Sequence, residues 1–122
     1  MIIYLQKKRS TDALALRLIR DGFRAMSTNG DRPVKRRIKA VDSLRSGELD
    51  ILVATDVLAR GMNMPDVNTI INMDLPLYHC VNYIHRIGRT GRMGNIGRAI
   101  SFYDVARDYK MSMFLTKVWV IN

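Results

Sequence analysis

The chain has 122 residues, a length that suits one domain with its own hydrophobic core. Hydrophobic residues make up 48% of it, too many for a disordered chain, yet no apolar run approaches the ~18 residues of a membrane helix. The single cysteine, Cys80, excludes an internal disulfide and a cysteine zinc site, and it favours a reducing compartment, the cytoplasm or the nucleus. The net charge of +9 favours a polyanionic partner or an anionic ligand, although a merely soluble basic surface is compatible with the same charge.

Short apolar runs alternate with helical periodicity along the chain. The runs lack period-two alternation and therefore predict buried strands, whereas stripes such as Val34, Ile38 and Val41 predict helices. The predicted strands are 2–5, 23–28, 51–54, 67–73 and 99–102, and the predicted helices are 11–21, 33–47, 78–87 and 106 to about 118.

This alternation predicts a single α/β domain, residues 1–122, built on a doubly wound parallel sheet with helices on both faces. In such a sheet, ligands bind in the loops that follow the carboxyl ends of the strands. Those loops begin at Gln6, Thr28, Thr55 and Asp74, so we expect the chemically important motifs to lie there.

The segment HRIGRTGR, residues 85–92, is the strongest motif. Arg86, Arg89 and Arg92 recur every three residues, and no acid lies between His85 and Arg98, so these charges are not neutralised locally. Guanidinium groups bind phosphate oxygens bidentately, and the intervening glycines would let a polyphosphate approach the backbone. The alternative is a solvated basic helix end, which does not require glycines at these places.

A second motif, ATDVLARGMNMP at residues 54–65, directly follows a predicted buried strand. Backbone N–H groups at and beyond Thr55 can point at an anion there. An ordinary strand-to-helix turn, capped by Thr55 or Asp56, is the alternative, and on this motif alone it is favoured.

Taken in order, these motifs resemble the second RecA-like domain of DEAD-box RNA helicases over nearly the whole chain. Residues 2–14, IIYLQKKRSTDAL, resemble motif IV, and residues 29–37, NGDRPVKRR, resemble the next RNA-facing turn. TDVLARGMN, residues 55–63, resembles motif V, and HRIGRTGR matches motif VI in full. GNIGRAISFYD, residues 94–104, is also similar to the family, and with GDR it resembles the Vasa-like branch.

The resemblance implies roles at the cleft between two RecA-like domains. It implies that Arg89 and Arg92 reach the γ-phosphate of ATP held on the other domain, and that His85 contacts the Asp-Glu-Ala-Asp box across the cleft. It implies that Arg86 supports this interdomain surface. Gly61 and Asn63 correspond to motif V positions beside the nucleotide.

The same resemblance implies an RNA surface that holds the phosphate backbone. Its members are Lys7 and Lys8 after the first strand, Gly30 and Asp31 in the following turn, Arg37 on the next helix, and Thr55 and Arg60 in motif V. Regulatory proteins are further expected partners, and no membrane is.

Several departures from the family pattern lie near these surfaces, among them Val34 and Ile38 in place of a glutamine and a glutamate on the basic helix. Asn63 replaces an aspartate that contacts the ATP ribose in the family, which removes a charge. Asn29 stands where histidine is common, and the stretch 74–83 is one residue longer than usual. These changes keep open a second hypothesis, a non-enzymatic RNA-binding or scaffold module with a decayed nucleotide site. A DNA-directed helicase is a third hypothesis, which HRIGRTGR disfavours.

The sequence contains no GxxxxGK[ST] phosphate loop and no Asp-Glu-Ala-Asp box. In the family these parts bind ATP and Mg²⁺ on the N-terminal domain, and we predict no metal site in this chain. The leading hypothesis is therefore half an enzyme, the C-terminal part of an ATP-dependent RNA helicase. By this hypothesis the chain supplies arginine fingers and part of the RNA surface, and it does not hydrolyse ATP alone.

Overall fold

The computed structural model describes residues 1–59, 64–76 and 80–120. Its strands are β1 (Ile2–Tyr4), β2 (Ala25–Thr28), β3 (Ile51–Ala54), β4 (Thr69–Asn72) and β5 (Arg98–Ser101). Its helices are α1 (Lys8–Arg20), α2 (Val34–Ser46), α3 (Asp56–Ala59), α4 (Cys80–Ile87), α5 (Val105–Asp108) and α6 (Ser112–Val120), with a 3-10 turn at Tyr109–Met111.

The five strands form one parallel sheet in the order β2-β3-β1-β4-β5. β1 lies at its centre, where Ile2 is level with Leu52 on one side and with Ile70 on the other. All strands run the same way, so their carboxyl ends meet at one edge of the sheet, which we call the carboxyl edge. The predicted doubly wound fold is confirmed.

Each face of the sheet has its own core. Ile3 and Val53 pack on one face against Ala15 of α1, whereas Leu52 and Ile70 pack on the other face against Val41 of α2. Consecutive residues of a strand point to opposite faces, so an apolar run without alternation supplies both cores.

Several elements differ from their predicted bounds. α1 begins at Lys8 instead of Thr11, because Thr11 is buried and its hydroxyl donates to the Lys8 carbonyl within the first turn. α3 agrees with the strand-to-helix turn that the sequence favoured at Thr55 and Asp56, although no bounds were predicted for it. The predicted last helix is interrupted: Asp104 caps α5 by accepting from two backbone N–H groups, and the 3-10 turn separates α5 from α6. In the described parts of the chain, no helix is long and apolar enough to cross a membrane.

Candidate functional site

Arg86 on α4 is the most deeply buried charged residue of the motif VI segment, with no exposed side-chain surface. Its Nε and Nη2 donate to Oδ1 and Oδ2 of Asp56 at 2.5 and 2.9 Å. Its Nη1 donates to the Asp74 carbonyl at 2.6 Å and to Asn72 Oδ1 at 3.3 Å. The hydrogen bonds of the guanidinium therefore connect α4 to α3 and to the loop after β4. Arg86 lies beneath the surface and can hold α4 in position, but its guanidinium is not available to a ligand.

Tyr4 completes this buried cluster. Its ring lies 5.1 Å from the Arg86 Cζ, in cation–π geometry at the carboxyl end of β1. Its hydroxyl is buried and has no hydrogen-bond partner among the described residues. Burial raises the pKa of Tyr4 to about 12, against the opposing positive charges of Arg89 and Arg86. Tyr4 is therefore neutral throughout the physiological range.

The backbone of Arg89 lies beside the residues that lead into β4. Val67, two residues before β4, donates its N–H to the Arg89 carbonyl at 2.9 Å and accepts from Thr90 Oγ1 at 2.5 Å. α4 thus returns from the carboxyl edge along the sheet, and the backbone that follows it lies beside the start of β4. The guanidinium of Arg89 is nonetheless close enough to Tyr4, at the carboxyl end of β1, to affect the pKa of that tyrosine. We call residues 85–92 the motif VI surface.

The motif VI arginines are not neutralised by their neighbours in the sequence, but two of them have acidic partners in the fold. Arg86 pairs with Asp56, and Arg92 Nη1 lies 3.2 Å from Asp66 Oδ1. Both partners come from other parts of the sequence. The Arg92 pair is about half exposed on each side, and exposed pairs of this kind contribute only ~0–1 kcal/mol. An anionic ligand can therefore compete with Asp66 for Arg92. His85 is exposed in the last turn of α4.

Gly91 in the motif VI segment and Gly97 just beyond it have structural reasons of their own. Gly91 has a φ of +65°, a conformation that residues with a side chain rarely adopt, and its backbone packs directly against Gly97. A Cβ built on Gly97 would overlap Gly91 N and Thr90 Oγ1. Close approach of two backbone segments, rather than of a polyphosphate, therefore explains this pair.

Four of the residues predicted to face RNA converge at the carboxyl edge. Lys8 Nζ lies 2.6 Å from Asp31 Oδ1, in a pair that is half exposed or more on each side. Gly30 faces Val57 of α3, since a Cβ there would lie 3.7 Å from the valine Cγ2. Thr55 follows β3 on the same edge. The turn after β2, the start of α1 and the loop after β3 thus form one surface.

The buried side chain of Asn29 connects this turn to α1 through hydrogen bonds. It is buried, its Oδ1 accepts from the Asp31 N–H at 3.0 Å, and its Nδ2 donates to Thr11 Oγ1 at 3.2 Å. The amide thus provides both an acceptor and a donor at once. Asn29, which departs from the family pattern, is satisfied by internal contacts in this chain.

Other buried polar groups at this edge have no partner among the described residues. They are the hydroxyls of Thr28 and Thr55 and the Nε of Arg37. Buried polar groups are normally hydrogen-bonded, so an unpaired donor in a surface loop is suited to an external acceptor. Lys7 is exposed beside them, just before α1.

Arg60, Gly61 and Asn63 lie outside the described residues. In the described part of the chain, no cluster of three metal-ligating side chains occurs.

Sequence comparison places this chain in a known family. Residues 1–94 match the family described as helicase conserved C-terminal domain. The chain is 41% identical over 117 residues to the probable ATP-dependent RNA helicase DDX4 of Bos taurus. It is 50% identical over 101 residues to the ATP-dependent RNA helicase RhlB of Shewanella baltica. These alignments cover 96% and 83% of this chain but only 16% and 23% of the relatives, so the chain spans a minor part of their length.

Solved structures agree with this match. The yeast DEAD-box splicing factor Prp28 superposes with a TM-score of 0.88 at 32% identity, over 96% of this chain and 26% of that one. The chain belongs to the DEAD-box RNA helicases, as a C-terminal helicase domain. This helicase domain is also similar to S. cerevisiae Dbp5 bound to RNA and ADP BeF3, with a TM-score of 0.82 and 35% identity over 95% of this chain and 31% of that one. A third similar structure is the E. coli DEAD-box protein SrmB bound to the regulator RraA, with a TM-score of 0.80 and 36% identity over 96% and 66% of the chains.

Sequence reasoning missed the residues that hold the helicase motifs in place. Asp56 was considered only as a helix cap, and Tyr4, Asp66 and Asn72 were not considered as site residues. A polar residue at the end of an otherwise apolar strand, such as Asn72 in TIIN, is the one signal that points to such a role.

Proposed function

We propose that this domain is the closing half of an ATP-dependent RNA helicase. One observation carries the proposal: the half-exposed guanidinium of Arg92 pairs with a half-exposed carboxylate, in the segment that follows a helix held in place by buried Arg86. A rigid helix with a releasable cation beyond its end is suited to delivering positive charge to a ligand that another domain presents.

The residues of the motif VI surface fit the terminal phosphate of ATP. When bound with Mg²⁺, ATP supplies the phosphoryl group that is transferred to water. Arg92 would exchange Asp66 for a phosphate oxygen, and Arg89 would bind beside it. Arg86 would hold α4 in position, and His85, exposed on the last turn, would contact the other domain. Asn63 and Gly61 are proposed to lie beside the nucleotide on the strength of the sequence alone.

The carboxyl edge is proposed to hold RNA through its phosphates. Lys7, Lys8 and Arg37 supply positive charge, and Thr55 supplies a hydroxyl. The turn supplies the backbone N–H of Gly30, since the N–H of Asp31 already donates to Asn29 Oδ1. Such groups read phosphates and not base edges, so little base preference is expected. The resemblance to Dbp5 bound to RNA supports this assignment. Arg60 is proposed for the same surface from the sequence.

The experiment is steady-state ATPase kinetics in a protein that carries both RecA-like domains. An arginine finger is typically worth about 10³–10⁵ in kcat, so Arg89→Ala and Arg92→Ala should each cause a loss of that order. Arg89→Lys should recover little, because lysine keeps the charge but loses the bidentate fork. Arg45→Ala, an exposed arginine of α2, is the matched control and should leave kcat unchanged.

The thermal midpoint of each variant should stay near that of the wild type, because neither arginine is part of a hydrophobic core. The isolated 122-residue chain should not turn over ATP. A kcat that survives Arg89→Ala and Arg92→Ala, or that falls only because the domain unfolds, would contradict the arginine-finger assignment.

A further inference from the structure

β2 has an open edge that neither proposed ligand uses. Among the described residues, β2 pairs only with β3. The Arg24 carbonyl accepts from the N–H groups of Asp50 and Ile51 at 3.0 and 3.1 Å, which fixes the direction of the backbone groups. Because these groups alternate along a strand, Ala25 and Ser27 turn their N–H and C=O away from β3. An open row of such groups is a template for another extended chain.

A cavity of about 700 Å³ surrounds this edge, and we call it the β2 groove. All four residues of β2 line it, together with residues of α1 on one face of the sheet and of α2 on the other. The groove therefore follows the strand along its full length, as a strand-adding ligand requires.

The two walls of the β2 groove differ in chemistry. The α1 wall presents Leu16 and Ile19, which are 58% and 51% exposed. The α2 wall presents Arg36 and Lys39, both exposed, and no described carboxylate forms an ion pair with either of them. An apolar wall thus faces one side of the strand edge, and a basic wall faces the other.

We propose that the β2 groove binds an extended acidic peptide of a partner protein, which adds to β2 as a further strand. Side chains of a strand alternate between the two faces of a sheet. Apolar residues of the peptide would therefore contact Leu16 and Ile19, while the acidic residues between them would contact Arg36 and Lys39. Main-chain hydrogen bonds to Ala25 and Ser27 would supply affinity, and the two walls would supply specificity.

The lining favours a peptide over RNA. None of the described residues that line the groove is aromatic, whereas single-stranded RNA is usually held by bases stacked on aromatic rings. The Asp12 carboxylate also lines the groove and would repel phosphates, although Arg32 pairs with it at 3.0 Å. The proposal is independent of the ATP and RNA roles, since neither the motif VI surface nor the carboxyl-edge turn contributes the two walls.

The test uses the full 122-residue chain and a fluorescent peptide of about eight residues that alternates valine and aspartate. Saturable binding is expected, and a peptide of the same composition with its valines and aspartates in two separate blocks should bind at least about tenfold more weakly. Leu16→Asp and Arg36→Glu should each weaken binding by about tenfold or more. Met113→Asp and Lys35→Glu make comparable changes at exposed positions outside the groove. Each should leave the affinity for the peptide within about threefold of the wild-type value.

Amide hydrogen exchange gives a second readout. The bound alternating peptide should slow exchange at Ala25 and Ser27, and it should not alter Met26 and Thr28, whose N–H groups already face β3. The proposal is overturned if the alternating peptide does not bind, if both peptides bind equally, or if exchange at Ala25 and Ser27 is unchanged. It is also overturned in favour of RNA if oligouridine displaces the peptide and Arg36→Glu abolishes RNA binding while Leu16→Asp does not.

Discussion

Arg86 and Asp56 are 30 residues apart in the sequence, yet their side chains form a two-pronged ion pair that leaves the guanidinium with no exposed surface. The pair joins the helix that carries motif VI to the loop that carries motif V. The positions of the motif VI segment and of Thr55 are therefore linked to each other. A disturbance on one side of this pair reaches the other side through two hydrogen bonds.

We predict that Arg86→Met strongly destabilises the domain. Removing one partner of a buried pair leaves an uncompensated charge and typically costs about 3–5 kcal/mol. Arg92→Met removes the exposed pair with Asp66 instead and should cost less than about 1 kcal/mol. Chemical denaturation of both variants measures the difference. Similar stabilities for the two variants would show that the Arg86 contacts do not support the fold.

We predict that Tyr4 makes the domain less stable at high pH. The pKa of Tyr4 is raised to about 12 from an ordinary value near 10, so the native state holds this proton more tightly than the unfolded chain does. Its contribution is complete below pH 10 and is lost as the pH rises from about 10 to 12, up to about 3 kcal/mol in total. Tyr4→Phe should remove this part of the pH dependence and cost little at pH 7, because the hydroxyl has no described partner. Denaturation curves between pH 8 and 12 test this, and an unchanged profile in Tyr4→Phe would refute it.

We predict weak, salt-sensitive binding of single-stranded RNA at the carboxyl edge. Each lost phosphate contact should lower the slope of log K against log salt by roughly 0.7 for a single strand. Lys7→Ala and Arg37→Ala should each show this change. Arg17→Ala removes an equal charge from the last turn of α1 and should leave the slope unaltered. Titration of oligouridine at several salt concentrations measures the slopes, and equal slopes in all three variants would exclude Lys7 and Arg37 from the contact surface.

We predict that Gly97→Ala perturbs the motif VI surface. The added methyl group overlaps the Gly91 backbone and Thr90 Oγ1, and forced overpacking costs about 1–3 kcal/mol. Gly30→Ala is the control, because its Cβ finds only ordinary contacts and the turn keeps its shape. Thermal unfolding of both variants checks the prediction. A Gly97→Ala variant as stable as Gly30→Ala would mean that the two backbone segments separate easily.

The sequence predicted every strand of the sheet, because apolar runs and helical stripes report local burial directly. It also predicted the family, because HRIGRTGR joins residue types in a spacing that few other proteins need. The boundaries were less accurate where a tertiary contact decided them. The short helix α3 and the interruption between α5 and α6 depend on single turns and caps that periodicity does not resolve.

The buried partners of the motif VI arginines were beyond sequence reasoning for a physical reason. The sequence shows no acid close to this run of arginines. The partners Asp56 and Asp66 come close to Arg86 and Arg92 only when the chain folds. The same applies to Tyr4, which resembles any apolar strand residue until the structure places a guanidinium against its ring. Which acid pairs with which arginine depends on the order of the strands in the sheet, and no local sequence pattern predicts that order.

The central place of β1 has a consequence for how the chain folds. Ile2 pairs with Leu52 and Ile70, so the middle strand of the sheet gains its neighbours only from residues far along the chain. Closing such long loops is slow compared with forming a helix or a hairpin. On the ribosome, β1 emerges well before either neighbour and has no strand to pair with until β3 has been synthesised. Early exposure of this apolar strand makes the nascent domain dependent on fast collapse, or on a chaperone, before β4 completes the sheet.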